Sequence, residues 1–173
     1  TEPKWFLGDD RYLREIAATV SIPCIRKDFT VDPYFIYEAR ELGASAVLFI
    51  CALLGRSELE EYLGIAEELG LSALVEAHNE DEVGLAAEVG ARLIGVNNRD
   101  LKSFSVDMNN SKRLRAAAPE HCLFVAESGV SSPADTAALR GSRVDAILVG
   151  EALMRAENKA ELLKALRAGY AEG

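Results

Sequence analysis

No stretch of this chain is apolar for long enough to span a bilayer, and its polar N-terminus is not a signal peptide. A soluble, cytoplasmic protein with no membrane partner is expected. Cysteine is scarce, with Cys24, Cys51 and Cys122 forming an odd set without CxxC spacing, each inside or beside an apolar run. That excludes a disulfide frame and a thiolate metal cluster, and the three read as small buried hydrophobes in a reducing compartment. Histidine is scarcer still. His78 and His121 are the only two, neither lies in a ligand cluster, and no metal site is supported. Ser128 has no histidine near it in sequence to activate it, so it reads as a ligand contact and not as a nucleophile. Basic residues are the minority, 19 against 28 acidic ones, for a net charge of −9. This argues against general affinity for nucleic acid and reads as a solvated acidic surface on the helices. Anionic small molecules remain compatible, because single residues such as Lys27 and Arg99 set the field inside a pocket.

What the chain does have is alternation. Five short apolar runs each end in a burst of polar residues: Cys24-Ile25-Arg26-Lys27-Asp28-Phe29, Leu74-Val75-Glu76-Ala77-His78, Ile94-Gly95-Val96-Asn97-Asn98-Arg99-Asp100-Leu101, Val125-Ala126-Glu127-Ser128-Gly129 and Leu148-Val149-Gly150-Glu151. A sixth run, Ala46 to Cys51, keeps an apolar end. Runs of about five residues rich in Val, Ile and Leu suit strands buried on both faces. The stretches between them carry helical period and boundary signals. Asp32-Pro33 opens one helix and Gly43 closes it. Ser57 with Glu60, and Asn79 with Glu82, read as capping boxes, with stops at Gly70 and Gly90. Ser132-Pro133 opens another helix, and the last spans about 157–168.

Strand–helix alternation with short links predicts a parallel sheet with right-handed crossovers. Strands carrying function at their C-terminal tips are the layout of a (β/α)₈ TIM barrel. The predicted strands are 22–26, 46–50, 73–77, 92–96, 122–126 and 146–149. A closed barrel of this type has eight strands in about 250 residues. Residues 1–173 are therefore expected to form a single partial barrel domain holding strands three to eight, without the first two βα units. An open sheet of this kind has exposed edges, so self-association through those edges is expected unless the chain is a fragment of a longer one.

Alternation also sorts the tips. Ile25, Lys27 and Phe29 share one face; so do Leu74, Glu76 and His78, and so do Gly95, Asn97 and Arg99. If these faces point inward, Lys27, Glu76, Asn97 and Arg99 converge on one mouth. A lysine and a glutamate there supply a general acid and a general base, or else a structural ion pair capping the core. Ser128-Gly129 and Gly150-Glu151 follow the last two strands, where such barrels bind phosphate through backbone N–H groups. Phe6, Phe29, Leu48 and Leu101 sit at or near strand ends, where they either line an apolar slot or pack in the core.

These phrases resemble the indole-3-glycerol-phosphate synthase family of tryptophan biosynthesis. The resemblance rests on Thr1-Glu2-Pro3-Lys4, Arg26-Lys27-Asp28-Phe29, Leu74-Val75-Glu76, Asn97-Asn98-Arg99-Asp100-Leu101, Glu127-Ser128-Gly129 and Val149-Gly150-Glu151-Ala152-Leu153-Met154-Arg155, in family order over nearly the whole chain. It implies a carboxy-lyase that closes the ring of 1-(2-carboxyphenylamino)-1-deoxyribulose 5-phosphate to indole-3-glycerol phosphate. No cofactor or metal is used in the family. Lys27 matches the family's acid, Glu76 its base and Asn97 an orienting partner. Arg99 would hold an anionic part of the substrate. Glu127, Ser128, Gly129, Gly150 and Glu151 match substrate-side positions, the last four toward phosphate, and Phe6, Phe29, Leu48 and Leu101 match the anthranilate slot. Nothing matches the essential Glu and Lys of the family's first strand, so little synthase activity is expected of these 173 residues alone. The competing expectations are another phosphate-binding barrel enzyme, such as phosphoribosylanthranilate isomerase, or a non-catalytic barrel piece that oligomerises.

Overall fold

The structure, a computed structural model, describes residues 1–99 and 105–171. Its strands are β1 (Ile25–Arg26), β2 (Ala46–Ile50), β3 (Ser72–Ala77), β4 (Leu93–Asn97), β5 (Leu123–Glu127) and β6 (Ala146–Leu148). All pair in parallel in the order β1-β2-β3-β4-β5-β6, so each strand lies beside its neighbours in sequence. This is the strand order of a barrel wall, here a curled half-barrel whose edges β1 and β6 each have one partner. The expected six parallel strands are present.

Helices α1 (Asp10–Thr19), α2 (Tyr34–Glu41), α3 (Arg56–Glu68), α4 (Glu80–Glu88), α5 (Asn109–Arg115), α6 (Pro133–Leu139), α7 (Glu151–Arg155) and α8 (Lys159–Ala171) lie between and around the strands. None is long and apolar enough to cross a membrane, among the described residues. The period-2 alternation of the strands divides the core. Val47, Phe49, Val75 and Ile94 point toward the helices and pack on Ile36, Leu59, Tyr62 and Ala86. Val96, Phe124 and Ala126 do the same against Leu114, Leu139 and Leu166. Each such buried side chain contributes roughly 1.5–3 kcal/mol. The concave face holds a smaller cluster of Leu48, Ile50, Leu74 and Val125. Above that cluster, toward the C-terminal tips, the inward positions become polar.

The helix boundaries follow local chemistry, with corrections to the expected ones. Asn79 caps α4 by accepting from the Glu82 N–H at 2.9 Å, and Ser132 with Asp135 caps α6. Gly43, Gly70 and Gly90 stop their helices at φ of +89°, +67° and +84°, where a side chain would be strained. The expected Ser57–Glu60 box does not form. The cap is Gly55, whose N–H donates to the Glu58 carboxylate at 2.7 Å, and Ser57 is already inside the helix. β1 begins at Ile25 and not at residue 22, because Pro23 has no N–H to donate and Ile22 is solvent-exposed. The last helix is shifted to Lys159–Ala171, and α1, α5 and α7 are additional to the helices expected from the sequence. Cys51 and Cys122 are buried and unbridged, and burial pushes the Cys51 thiol up to about 12.

Arg26 ties the N-terminal third together. Its side chain is 2% exposed, pointing away from the concave face. Its guanidinium meets Glu38 of α2 at 2.7 Å, Asp10 of α1 at 3.2 Å and Asp28 at 3.6 Å, and it lies over the Phe35 ring. Removing one partner of a buried ionic group strands the others in low dielectric. Arg26→Met is therefore expected to destabilise the chain by about 3 kcal/mol, measured by urea unfolding. An unchanged midpoint would show that the carboxylates find equivalent solvation without it.

Candidate active site

The inward residues at the C-terminal tips build one polar floor. Glu76 ends the apolar part of β3 and is 2% exposed. In register, Gly95 of β4 lies beside Glu76, and Asn97 lies beside Glu127 of β5. Asn97 donates its Nδ2 to Glu76 Oε1 at 3.1 Å. Glu127, 1% exposed, leans over Gly95: a Cβ on that glycine would collide with its carboxyl oxygen. The missing side chain of Gly95 is what lets two glutamates occupy one buried floor.

Two buried carboxylates this close cannot both ionise readily. Burial alone would raise Glu76, but His78, Asn97 and the charge of Lys27 together hold it below the ordinary carboxylate range. Glu127 goes the other way: burial, then the negative charge of Glu76, push it up to about 8, with Lys27 opposing. One oxygen of Glu127 has no hydrogen-bond partner. A neutral carboxyl donating its proton toward Glu76 accounts for that oxygen better than a bare carboxylate does. The floor thus holds an ionised acceptor and a proton-bearing neighbour, the pairing that acid–base chemistry at neutral pH uses.

His78 stands one strand-face step beyond Glu76. Its Nε2 lies 3.2 Å from Glu76 Oε1, a close ionic contact whose angle falls short of a hydrogen bond. Its Nδ1 lies 3.1 Å from Glu82 Oε2, and its backbone N–H donates to the same oxygen at 2.8 Å. Glu76, then Glu82, raise the imidazole to about 9 against the effect of burial.

The remaining predicted residues ring this floor. Lys27 follows β1 with its side chain exposed, and its charge acts on both glutamates. Arg99 is half-buried, donates its backbone N–H to Asn97 Oδ1 and pairs with Glu151 at 2.9 Å, so the tips of β4 and β6 are bridged. Glu151 also meets Arg155 at 3.1 Å, while Gly150 is exposed at the start of α7. Ser128 and Gly129 adopt consecutive left-handed conformations, φ +66° and +83°. Such a conformation is uncommon for serine and has to be held. Asn98 holds it, donating Nδ2 to the Ser128 carbonyl at 3.2 Å while its Oδ1 accepts from the Ser111 N–H and hydroxyl. A Cβ on Gly129 would strike Val106 and Met108, so only glycine lets the β4–α5 connection lie against the β5 tip.

Phe6 and Phe29 meet at the rim with ring centroids 6.3 Å apart. Leu48 lies a layer below them, mid-strand in register with Leu74 and buried in the concave cluster. Leu101 lies outside the described residues. Sequence reasoning singled out Glu76, Asn97 and Lys27 but missed what arranges them: Gly95, Asn98, Glu82 and Asn110, whose Nδ2 donates to the carbonyls of His78 and Asn97. The signal available was Gly95 and His78 falling on the inward faces. A cavity of about 340 Å³ lies elsewhere, between β6 and α6, α7 and α8, and is mostly apolar, lined by Ile147, Leu153, Leu166 and Tyr170. It carries none of the floor's carboxylates.

Comparison with known proteins places this geometry in context. A family model described as indole-3-glycerol phosphate synthase matches residues 1–166. The chain is 56% identical over 165 residues to a protein of that name from Ruminiclostridium cellulolyticum, covering 95% of this chain and 64% of that one. It is 50% identical to the namesake from Endomicrobium trichonymphae, covering 96% of this chain and 65% of the other. The chain therefore spans a little under two thirds of the length of these relatives. Among solved structures, thiamine phosphate pyrophosphorylase from Pyrococcus furiosus superposes with a TM-score of 0.74 at 18% identity, over 95% of this chain and 79% of that chain. A mandelate oxidase variant with (S)-mandelic acid gives 0.74 at 19% identity, over 92% and 61%. These two likenesses concern the fold alone.

The site's ionisation makes stability depend on pH. A histidine that gains carboxylate partners on folding stabilises the native state fully below about pH 6.5, and that contribution disappears as pH rises through about 9. Glu127 binds its proton more tightly folded than unfolded, so it too loses stabilisation as pH rises toward about 8. The thermal midpoint is expected to fall between about pH 6 and 9, and His78→Gln should flatten that fall by a few degrees. A midpoint rising across this window would contradict the assignment. Gly95→Ala is expected to expel the Glu127 carboxyl from the floor, seen as loss of its elevated titration by carbon-13 NMR.

Proposed function

The chain belongs to the indole-3-glycerol phosphate synthase family, and on that premise we propose that its concave floor performs the acid–base steps of the decarboxylating ring closure that makes indole-3-glycerol phosphate. The observation that carries the reading is the split pair: a buried ionised Glu76 beside a buried protonated Glu127, under the charge of Lys27. In 1-(2-carboxyphenylamino)-1-deoxyribulose 5-phosphate, the ring carbon bearing the carboxylate attacks the ribulose carbonyl carbon. The carbonyl oxygen takes up a proton as the C–C bond forms, and Lys27 is the cation suited to deliver it. The carboxylate then leaves as carbon dioxide, its bonding electrons restoring the ring. Lys27, reprotonated from solvent, then gives a proton to the new hydroxyl, which leaves as water, while Glu76 takes a proton from the adjacent former C1 methylene, whose C–H electrons form the indole double bond. Asn97 keeps Oε1 of Glu76 aimed, and Glu127, carrying its own proton, stands beside Glu76 without adding a second negative charge.

Around this floor, we assign the phosphate to the Ser128-Gly129 and Gly150-Glu151 tips, with Arg99 on an anionic substrate group. The side chain of Glu151 pairs with Arg99, so its part in phosphate binding is through backbone. Phe6 and Phe29 suit the rim of an anthranilate slot and Leu48 its floor. Phosphoribosylanthranilate isomerase is the less favoured reading, because the Arg26–Phe29 and Asn97–Leu101 phrases are not required for it.

Calorimetric titration of the 173-residue chain with indole-3-glycerol phosphate tests the assignment. Binding is expected to exceed that of ribose 5-phosphate, and Arg99→Met is expected to weaken it about tenfold, the scale of one charge-assisted hydrogen bond. Equal affinity for both ligands would remove the anthranilate slot from the proposal. Turnover of the synthetic substrate by this chain is expected to fall far below that of a full-length relative, because nothing in these 173 residues matches the Glu and Lys that the family carries on its first strand.

A further inference from the structure

We propose that His78, pinned by Glu82, is a positioning residue that decides which of the two buried glutamates keeps the shared proton, assigning it to Glu127 and leaving Glu76 as the acceptor. The proposal rests on the reading of Glu76 as the base. It concerns two residues, His78 and Glu82, that touch no part of the substrate as assigned above.

The argument starts from the carboxylate of Glu82, in the first turn of α4. One of its oxygens receives both the His78 backbone N–H, at 2.8 Å, and the Nδ1 position of the ring, at 3.1 Å. The other receives the Asn79 side-chain amide at 2.8 Å. Glu82 is thus immobilised by the helix cap itself. A carboxylate facing Nδ1 demands a proton there and fixes the ring plane. With the ring so held, Nε2 faces Glu76 Oε1, two residues back along the chain, 3.2 Å away. Asn97 reaches the same oxygen from β4. One hydrogen bond, from Asn97, and one close ionic contact, from the His78 ring, favour the ionised form of Glu76. Among the described residues no such pair of contacts reaches Glu127, whose Oε1 is buried without a hydrogen-bond partner there.

The groups facing His78 come from every element around it. Glu76 lies on its own strand, Glu82 on α4, Glu127 on β5 and the cation Lys27 beyond β1. Asn110 of α5, donating to the His78 carbonyl, is neutral, and so is the buried Cys51 thiol near Glu76 and Glu82. The carboxylates outnumber the cation, which favours a charged imidazolium and gives the ring a definite polarity: proton-rich toward both acids. Its elevated pKa, about 9, agrees with that geometry. The cap contact between Glu82 and the His78 backbone does not use the ring, so replacing the ring separates its electrostatic role from its part in starting α4.

Titration by NMR on the intact chain, without substrate, tests this. The chain has only two histidines, and His121→Gln identifies the exposed one. The His78 ring is expected to titrate well above the ordinary range, and Glu82→Gln should lower it by at least one pH unit. With carbon-13-labelled glutamate, His78→Gln is expected to raise the Glu76 titration by about one unit, a tenfold change in its proton affinity. The Glu127 titration should move toward it, while the helical circular dichroism stays unchanged. A His78 ring titrating near its ordinary value, or carboxyl titrations indifferent to His78→Gln in the folded protein, would overturn the proposal. Should His78→Gln fail to fold, Glu82→Gln provides the same two readings. Because no ligand is present, failure of the chain to bind indole-3-glycerol phosphate would sink the functional reading by a different measurement from the one that sinks this.

Discussion

Two carboxylates share one buried floor on the concave face of this sheet, and much of the surrounding geometry exists to make that tolerable. An isolated ionised carboxylate in such a place is strongly disfavoured, and a pair of them more so. The chain resolves the conflict by asymmetry. Glu76 receives Asn97 and faces His78, whereas Glu127 receives burial and the field of its neighbour. The glycine between them, Gly95, removes the side chain that would hold them apart. The result is a pair of chemically identical side chains whose proton affinities are told apart only by their surroundings.

The two faces of the sheet divide the labour. Outward residues such as Phe49, Val75, Ile94 and Phe124 are fully buried under helices and supply most of the apolar core. The inward face is thinly packed, and its upper layer is polar. Stability therefore resides mainly on one side and the polar floor on the other, separated by the thickness of one backbone. Arg26 and Lys27, adjacent in sequence, show the division at its sharpest. One points out into a nest of carboxylates that fastens α1 and α2, and the next lends its charge to the floor.

Much of this was legible in the sequence because a strand's period is an exact alternation. Once Glu76 and Leu74 are known to share a face, and Asn97 and Gly95 likewise, their meeting follows from parallel register alone. Other features depended on facts that alternation does not carry. The Gly55 cap displaced the expected Ser57 one because Glu58 reaches back to a backbone N–H, and overlapping cap signals two residues apart look alike in sequence. α1 was not expected, although Leu13, Ile16 and Ala17 fall on one helical face; of its ten residues only Leu13 is buried. His78 was ambiguous because it follows β3, where strand alternation lapses, and its orientation is set by Glu82 from the next helix. The protonation of Glu127 required knowing how close Gly95 allows it to come to Glu76.

The strictly sequential strand order has a further consequence. Since each strand pairs only with those before and after it in the chain, the sheet behaves as a short linear array, and disruption at one end need not propagate to the other. Local opening should begin at the short edges, β1 with two residues and β6 with three, and fade toward the middle. Glu76, Gly95 and Asn97 lie on β3 and β4, the innermost pair, farthest from either fraying end. Glu76, Gly95 and Asn97 are thus expected to exchange more slowly than residues near the edges of the sheet, such as Phe6 and Glu151. The strand order grades rigidity across the sheet, and the hydrogen-bonded pair of Glu76 and Asn97 lies toward its middle.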